Sequence, residues 1–298
     1  MSASSDYIII TAVKNESAML DGLYKSVVAQ TSSPLLWLIA EDGSTDDTCA
    51  MAQSMAAKHP WIAVASREEV QNPFWVKPNS AAAFGISEAA KECESRGIDY
   101  SAVAVLDADT SVEPDYFDRL VRLMNDRPGA VIASGMIATE GGQGLEARPS
   151  PRGCARLYDR RFLEEVGGFP IAASSDTVLE IKAKNRGYAF VVDPEARGLH
   201  RRKSTNITDA RGLRSLAVIR YTMGMDMLSF VAWSVAYSRA LGLRSGVAFM
   251  GGYLEAVRGK YTRTDDAEVI RYFRGSWKRL LNVPDTRRAM RDMLAVQL

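Results

Sequence analysis

Two carboxylates, Asp107 and Asp109, stand one residue apart in VLDADTSVEPD, where an apolar run meets a turn. Carboxylates this close repel one another, and a hard divalent cation bridging them to phosphate oxygens is a common way to make such a cluster stable. A third acid, Asp42, follows a second apolar run, LLWLIA (Leu35 to Ala40), in the turn EDGSTDDT. In open α/β sheets the ligand lies outside the carboxyl ends of the strands, so Asp42, Asp107 and Asp109 are expected to share one site. Mg2+ or Mn2+ with a nucleotide diphosphate suits that chemistry. The competing reading is structural. Asp109 would cap a helix and Asp107 would sit in a turn, and Asp-Gly and Ser-Thr-Asp are ordinary turn and cap residues.

The order of the surrounding elements separates the two readings. YIIITAV (Tyr7 to Val13) is a continuous β-branched run of the kind that a strand buried on both faces shows. Behind it, Leu20, Leu23, Tyr24, Val27 and Val28 fall on one helical stripe. LLWLIA then reads as a second strand, followed by an acidic turn and another helix: the opening of a doubly wound α/β sheet. The alternation continues through WIAVAS (Trp61 to Ser66), a helix from about Asn79 to Arg96, and SAVAVLD (Ser101 to Asp107). A helix is expected behind Pro114, a strand in AVIASGMIAT, and a loop in the glycine-rich EGGQGLEARPSPRG. After about residue 208 the pattern turns helical, which places a domain boundary there: 1–208 catalytic, 209–298 helical.

Composition excludes other classes. The 298 residues hold 37 basic and 36 acidic side chains, a net charge of +1 that gives no reason to expect a nucleic-acid partner. Cys49, Cys93 and Cys154 are scattered and odd in number, suggesting neither a disulfide framework nor a zinc site. No apolar run approaches the roughly 20 residues needed to span a bilayer, and a cytoplasmic location is expected.

At this level the sequence resembles the family 2 glycosyltransferases, which use the GT-A fold, a Rossmann-like mixed sheet flanked by helices. The matching pieces, in order, are IIITAVKNE, EDGSTDDT, VLDADT, the GGFP turn at Gly167 to Pro170, SSDTVLEIKAKNRGY, and His200 in GLHRRKS. The ordered set is far more specific than any one member. The resemblance implies an inverting transferase that uses a nucleotide-sugar donor, UDP-linked before GDP-linked. It implies that Thr11, Val13 and Glu16 line the nucleotide pocket and that Asp42 accepts a hydrogen bond from the base. Asp107 would approach ribose and metal, Asp109 would coordinate the metal, and His200 would be a third ligand. Lys77 would lie near the phosphates, and Arg201, Arg202 and Lys203 would hold phosphate oxygens of the donor or of a lipid phosphate. Asp176, in SSDTVLEIK, would be the base that deprotonates the acceptor, against the alternative that it merely caps a helix.

The C-terminal third is less specific. DMLSFVAWSVAYSRALGLRSGVAFMGGYLEAVRGKY is too short in its uncharged stretch to span a membrane. Its aromatic residues and flanking arginines suit an interfacial helix pair with Phe230 and Trp233 inserted among lipids, and equally suit packing on the catalytic domain or on a second subunit in a homodimer. The family resemblance implies a lipid-linked or polysaccharide acceptor. A sugar-phosphate nucleotidyltransferase is the nearest rival, but TAVKNES lacks the glycine-rich phosphate loop that such an enzyme carries after its first strand. A membrane-docked scaffold without turnover is the rival from another class.

Overall fold

The computed structural model describes residues 6–68, 76–140, 153–202 and 209–280; residues 141–152 of the glycine-rich stretch, and Lys203, lie outside them. In chain order the elements are β1 (Tyr7–Val13), α1 (Ser17–Val28), β2 (Leu36–Asp42), α2 (Thr48–Ala56), β3 (Ile62–Arg67), α3 (Lys77–Arg96), β4 (Ala102–Leu106), β5 (Thr110–Val112) and α4 (Tyr116–Asn125). They continue as β6 (Ala130–Thr139), β7 (Ala155–Asp159), α5 (Arg160–Glu165), α6 (Ser175–Asn185) and β8 (Ala189–His200). The remainder is helical: α7 (Ala210–Thr222), α8 (Met227–Leu241), α9 (Leu243–Arg258), α10 (Ala267–Phe273) and a 3-10 turn, Ser276–Leu280. The chain divides into two compact units, one of Met1–Ile171 with Ala183–Lys203, the other of Ala172–Lys182 with Ser204–Leu298.

The first unit is a mixed eight-stranded sheet in the order β3-β2-β1-β4-β7-β6-β8-β5. Strands β3, β2, β1 and β4 run parallel, which is why β1, β2 and β4 are apolar almost throughout: both faces are covered. Strand β7 runs antiparallel between β4 and β6, and β8 runs parallel to β6 but antiparallel to β5. Neither β5 nor β7 stands out in sequence, since β5 is three residues long and β7 carries Arg156 and Asp159. Glycine sets two close approaches. A Cβ on Gly85 of α3 would come within 2.8 Å of Ile10 and Ala40, so the missing side chain lets the helix lie against β1 and β2. A Cβ on Gly135, at the bulge where β6 shifts register against β8, would come within 2.1 Å of the Ala196 carbonyl oxygen.

The second unit has its own core, built from Phe230, Trp233, Tyr237, Leu213, Phe249 and their neighbours. Phe230 and Trp233, which the interfacial reading would insert among lipids, are 0 % and 2 % exposed. The reason is helical phase. Phe230 lies against Phe249 and Tyr253, with ring centroids 5.3 and 4.6 Å away. The Trp233 indole N–H donates to Ser276 Oγ at 3.2 Å, and the Arg220 guanidinium sits 4.8 Å from its ring centroid. Among the described residues no helix is long and apolar enough to cross a membrane.

Candidate active site

The loop after β1 is tied to the acidic turn after β2, and this fixes Glu16. Asn15 has a φ of 54°, a left-handed conformation that asparagine tolerates better than most residues. Its Oδ1 accepts the Thr45 amide at 2.8 Å, while Thr48 Oγ1 accepts the Glu16 amide at 2.7 Å. Asp46 accepts the amides of Ser17 and Thr48 at 3.2 and 3.0 Å, donors that hold its carboxyl well below the usual carboxylate range. Much of EDGSTDDT is therefore scaffolding for the first loop. Thr11 and Val13 turn their side chains into the core: both are buried, and Thr11 Oγ1 accepts the Trp37 indole N–H at 3.1 Å. Glu16, at the end of this loop, is largely shielded from water, with its side chain only 12 % exposed.

Glu16 pairs with Arg202, and Arg202 Nε lies 3.5 Å from Asp109 Oδ2. The other Asp109 oxygen stands 3.3 Å from His200 Nδ1. Backbone pairing causes this meeting. Strand β5 runs antiparallel to β8 with Thr110 opposite His200, and the Arg201 amide donates to the Asp109 carbonyl at 2.8 Å. Thr110 Oγ1 lies a further 3.2 Å from His200 Nδ1. Burial pushes the Asp109 carboxyl up, but the His200 hydrogen bond and the charges of His200 and Arg202 outweigh it and leave the group below its ordinary value. For Glu16 burial wins over Arg202, and its carboxyl is raised. Arg201 packs its guanidinium over Gly22 of α1, where a Cβ would come within 2.6 Å.

Asp107 is exposed just past the end of β4, its amide donating to the Cys154 carbonyl at 2.9 Å. Among the described residues no three His, Cys, Asp or Glu side chains group as metal ligands. The expected trio is thus represented by one contacting pair, Asp109 and His200. The Asp109 carboxylate fits Mn2+ or Mg2+, because such ions are commonly held by one or two carboxylates while substrate phosphates and water complete the shell. Asp109 and His200 would hold the ion.

Asp42 lies at the end of β2, buried, and its Oδ1 accepts from Arg67 Nε at 2.6 Å. Arg67 was not singled out in the sequence, yet the parallel register of β2 and β3 sets Asp42 directly opposite it. The guanidinium also reaches Ser80 Oγ at 3.2 Å and lies 5.0 Å from the Phe84 ring centroid. Lys77 is the first residue of α3, half-buried.

Asp176 belongs to the second unit, where it occupies the first turn of α6. Its Oδ1 accepts from Ser174 Oγ at 2.6 Å and from the Thr177 amide at 2.8 Å, and Ser174 Oγ lies 2.8 Å from Thr177 Oγ1. These bonds fix the carboxylate in a half-buried position.

The family model described as Glycosyl transferase family 2 matches residues 8–175. Among solved structures, the mannosyltransferase PcManGT from Pyrobaculum calidifontis, in complex with GDP-Man and Mn2+, aligns with a TM-score of 0.55 and 15 % identity over 98 % of this chain and 85 % of its own. S. aureus TarS 1-349 in complex with UDP aligns with a TM-score of 0.52 and 13 % identity over 85 % of this chain and 91 % of its own. GalNAc-T7 with UDP, GalNAc and Mn2+ gives a TM-score of 0.55 and 12 % identity over 86 % of this chain and 57 % of its own. At such identities the likeness is one of fold. No curated protein matches the sequence.

Proposed function

The chain belongs to glycosyltransferase family 2 and has the mixed sheet of a GT-A fold, and from that premise we propose an inverting, metal-dependent transfer of a sugar from a nucleoside-diphosphate sugar to a hydroxyl or phosphate of a lipid-linked or polysaccharide acceptor. The observation that carries the reading is the buried Asp109 carboxylate set between His200 and Arg202. This gives a divalent cation an anionic oxygen and an imidazole, with a guanidinium alongside for phosphate oxygens. Bound Mn2+ or Mg2+ supplies positive charge that offsets the charge growing on the departing diphosphate.

The chain's own residues do the rest. Asp42, oriented by Arg67, accepts a hydrogen bond from the base, and Asp107 reaches the ribose. Arg202 exchanges its pairing with Glu16 and Asp109 for phosphate oxygens, helped by Lys77. Asp176 takes the proton of the acceptor hydroxyl, whose oxygen attacks the anomeric carbon on the face opposite the leaving diphosphate, so configuration inverts without a covalent intermediate.

A GDP-sugar complex of one structural neighbour and UDP complexes of two others support a nucleotide-sugar donor; UDP is the favoured one, GDP the alternative. The reading includes peripheral contact with the cytoplasmic membrane face, where a lipid-linked acceptor is met. A panel of UDP- and GDP-sugars with Mn2+, read by thermal shift and by donor hydrolysis, tests it: one donor should stabilise the fold and be hydrolysed slowly. A folded protein that neither binds nor hydrolyses any donor refutes it.

A further inference from the structure

The helical unit carries an apolar face that its own core does not use. Leu228, Val231 and Val235 on α8, and Leu243, Val247 and Leu254 on α9, are all exposed, Leu243 to 75 % and Val247 to 63 %. Their spacing of three, four and seven residues makes one stripe on each helix. The two stripes look outward together, because Phe230 and Tyr237 of α8 and Phe249 of α9 enter the same core from the opposite sides of their helices. The helices also touch closely, since a Cβ on Gly246 would come within 2.2 Å of the Ser234 carbonyl oxygen. A contiguous apolar patch of this kind marks a surface that meets something other than water.

Charge selects the occupant. Between Met227 and Lys260 the chain carries Arg239, Arg244, Arg258 and Lys260, all exposed, and a single acid, Glu255, already paired with Arg214 at 2.5 Å. Aliphatic side chains rimmed by cations complement an anionic lipid surface, with the stripe at the acyl boundary and the rim at the headgroups. A second copy fits poorly, because a two-fold contact through this face would set the same cations against one another with no spare acid between them. We propose that the outer face of α8 and α9 docks the protein peripherally on an anionic bilayer. This deepens the membrane contact in the functional reading and owes nothing to catalysis.

The test is flotation of the full chain with vesicles of phosphatidylcholine alone and of phosphatidylcholine mixed with phosphatidylglycerol. The wild-type chain should rise with the anionic vesicles only, and added salt should release it. Val231→Ser combined with Val247→Ser should lower the bound fraction by roughly tenfold or more, as loss of two buried aliphatic side chains implies. These positions lie outside the core, so circular dichroism and the melting temperature should stay close to wild type. Arg239→Glu with Arg244→Glu, a second variant, should also stay in the bottom fraction. Folded wild-type protein that never floats overturns the proposal. So does a wild-type dimer in light scattering that the valine variants convert to monomer without any vesicle binding, which assigns the face to a second copy. Donor thermal shift on the same preparation separates the two readings: a protein that binds donor but never floats loses only the docking surface, and one that floats but binds no donor loses only the transferase assignment.

Discussion

Arg67 Nε holds Asp42 Oδ1 at 2.6 Å across the neighbouring ends of β3 and β2, with both side chains largely shielded from water. A carboxylate buried in this way needs its partner, and removing one member of a buried pair is costly. Arg67→Ala should therefore destabilise the protein by about 3 kcal/mol in urea unfolding and weaken nucleotide binding. Arg67→Lys keeps the charge but not the second bond to Ser80, so it should recover part of both. An Arg67→Ala variant as stable as wild type would show that the pair contributes little.

Asp109→Asn removes the anionic oxygen that His200 and Arg202 face. Transfer should fall by at least about 10²-fold, and Mn2+-dependent nucleotide binding should vanish while the circular dichroism spectrum stays unchanged. Full activity of the native enzyme in excess EDTA is the result that would contradict the metal role.

Asp176→Asn keeps the shape of the Ser174–Asp176–Thr177 cluster and removes the basic oxygen. With Asp176 as general base, kcat should drop by about 10²-fold or more while donor affinity holds. A parallel loss of rate and melting temperature would mark the residue as part of the helix start and nothing more.

Asp226 caps α8, accepting from the amides of Ser229 and Gly275 at 3.0 and 2.6 Å and from Ser229 Oγ at 2.8 Å. Burial raises its carboxyl, but the Gly275 and Ser229 donors outweigh it and the group ends below its ordinary value. A depressed carboxyl stabilises the fold above the unfolded-state pKa of about 3.9, and the contribution is lost as pH falls through the folded-state value. Asp226→Ala should cost about 1 to 2 kcal/mol at neutral pH. The gap between variant and wild type should close as pH is lowered below about 4, as followed by thermal melts across an acid series.

Much of the fold was legible because its signals are local. Tyr7–Val13 and Leu35–Ala40 are apolar runs of the kind that a doubly covered strand shows, and they form the interior strands β1 and β2. The helix behind Pro114 begins at Tyr116, and the chain after residue 208 is helical wherever it forms regular structure among the described residues. The short strand β5 and the charged strand β7 were not legible, because what defines them is a partner far along the chain.

The candidate site divides the same way. Residue types and their order pointed to Asp42, Asp107 and Asp109, since carboxylates at strand ends already specify a chemistry, while Asp176 and His200 were reached through the family resemblance. Arg67 escaped notice, and Glu16 acquired its ion pair with Arg202, because those meetings depend on the β2–β3 register and on β8 returning beside β5. Sequence alone determined that α8 is apolar, but Phe230 and Leu228 are equally hydrophobic, and no single helix can tell which of its faces will meet a core. Tertiary packing decided it: Phe249 and Tyr253 took the aromatic face, and the aliphatic face was left to the outside.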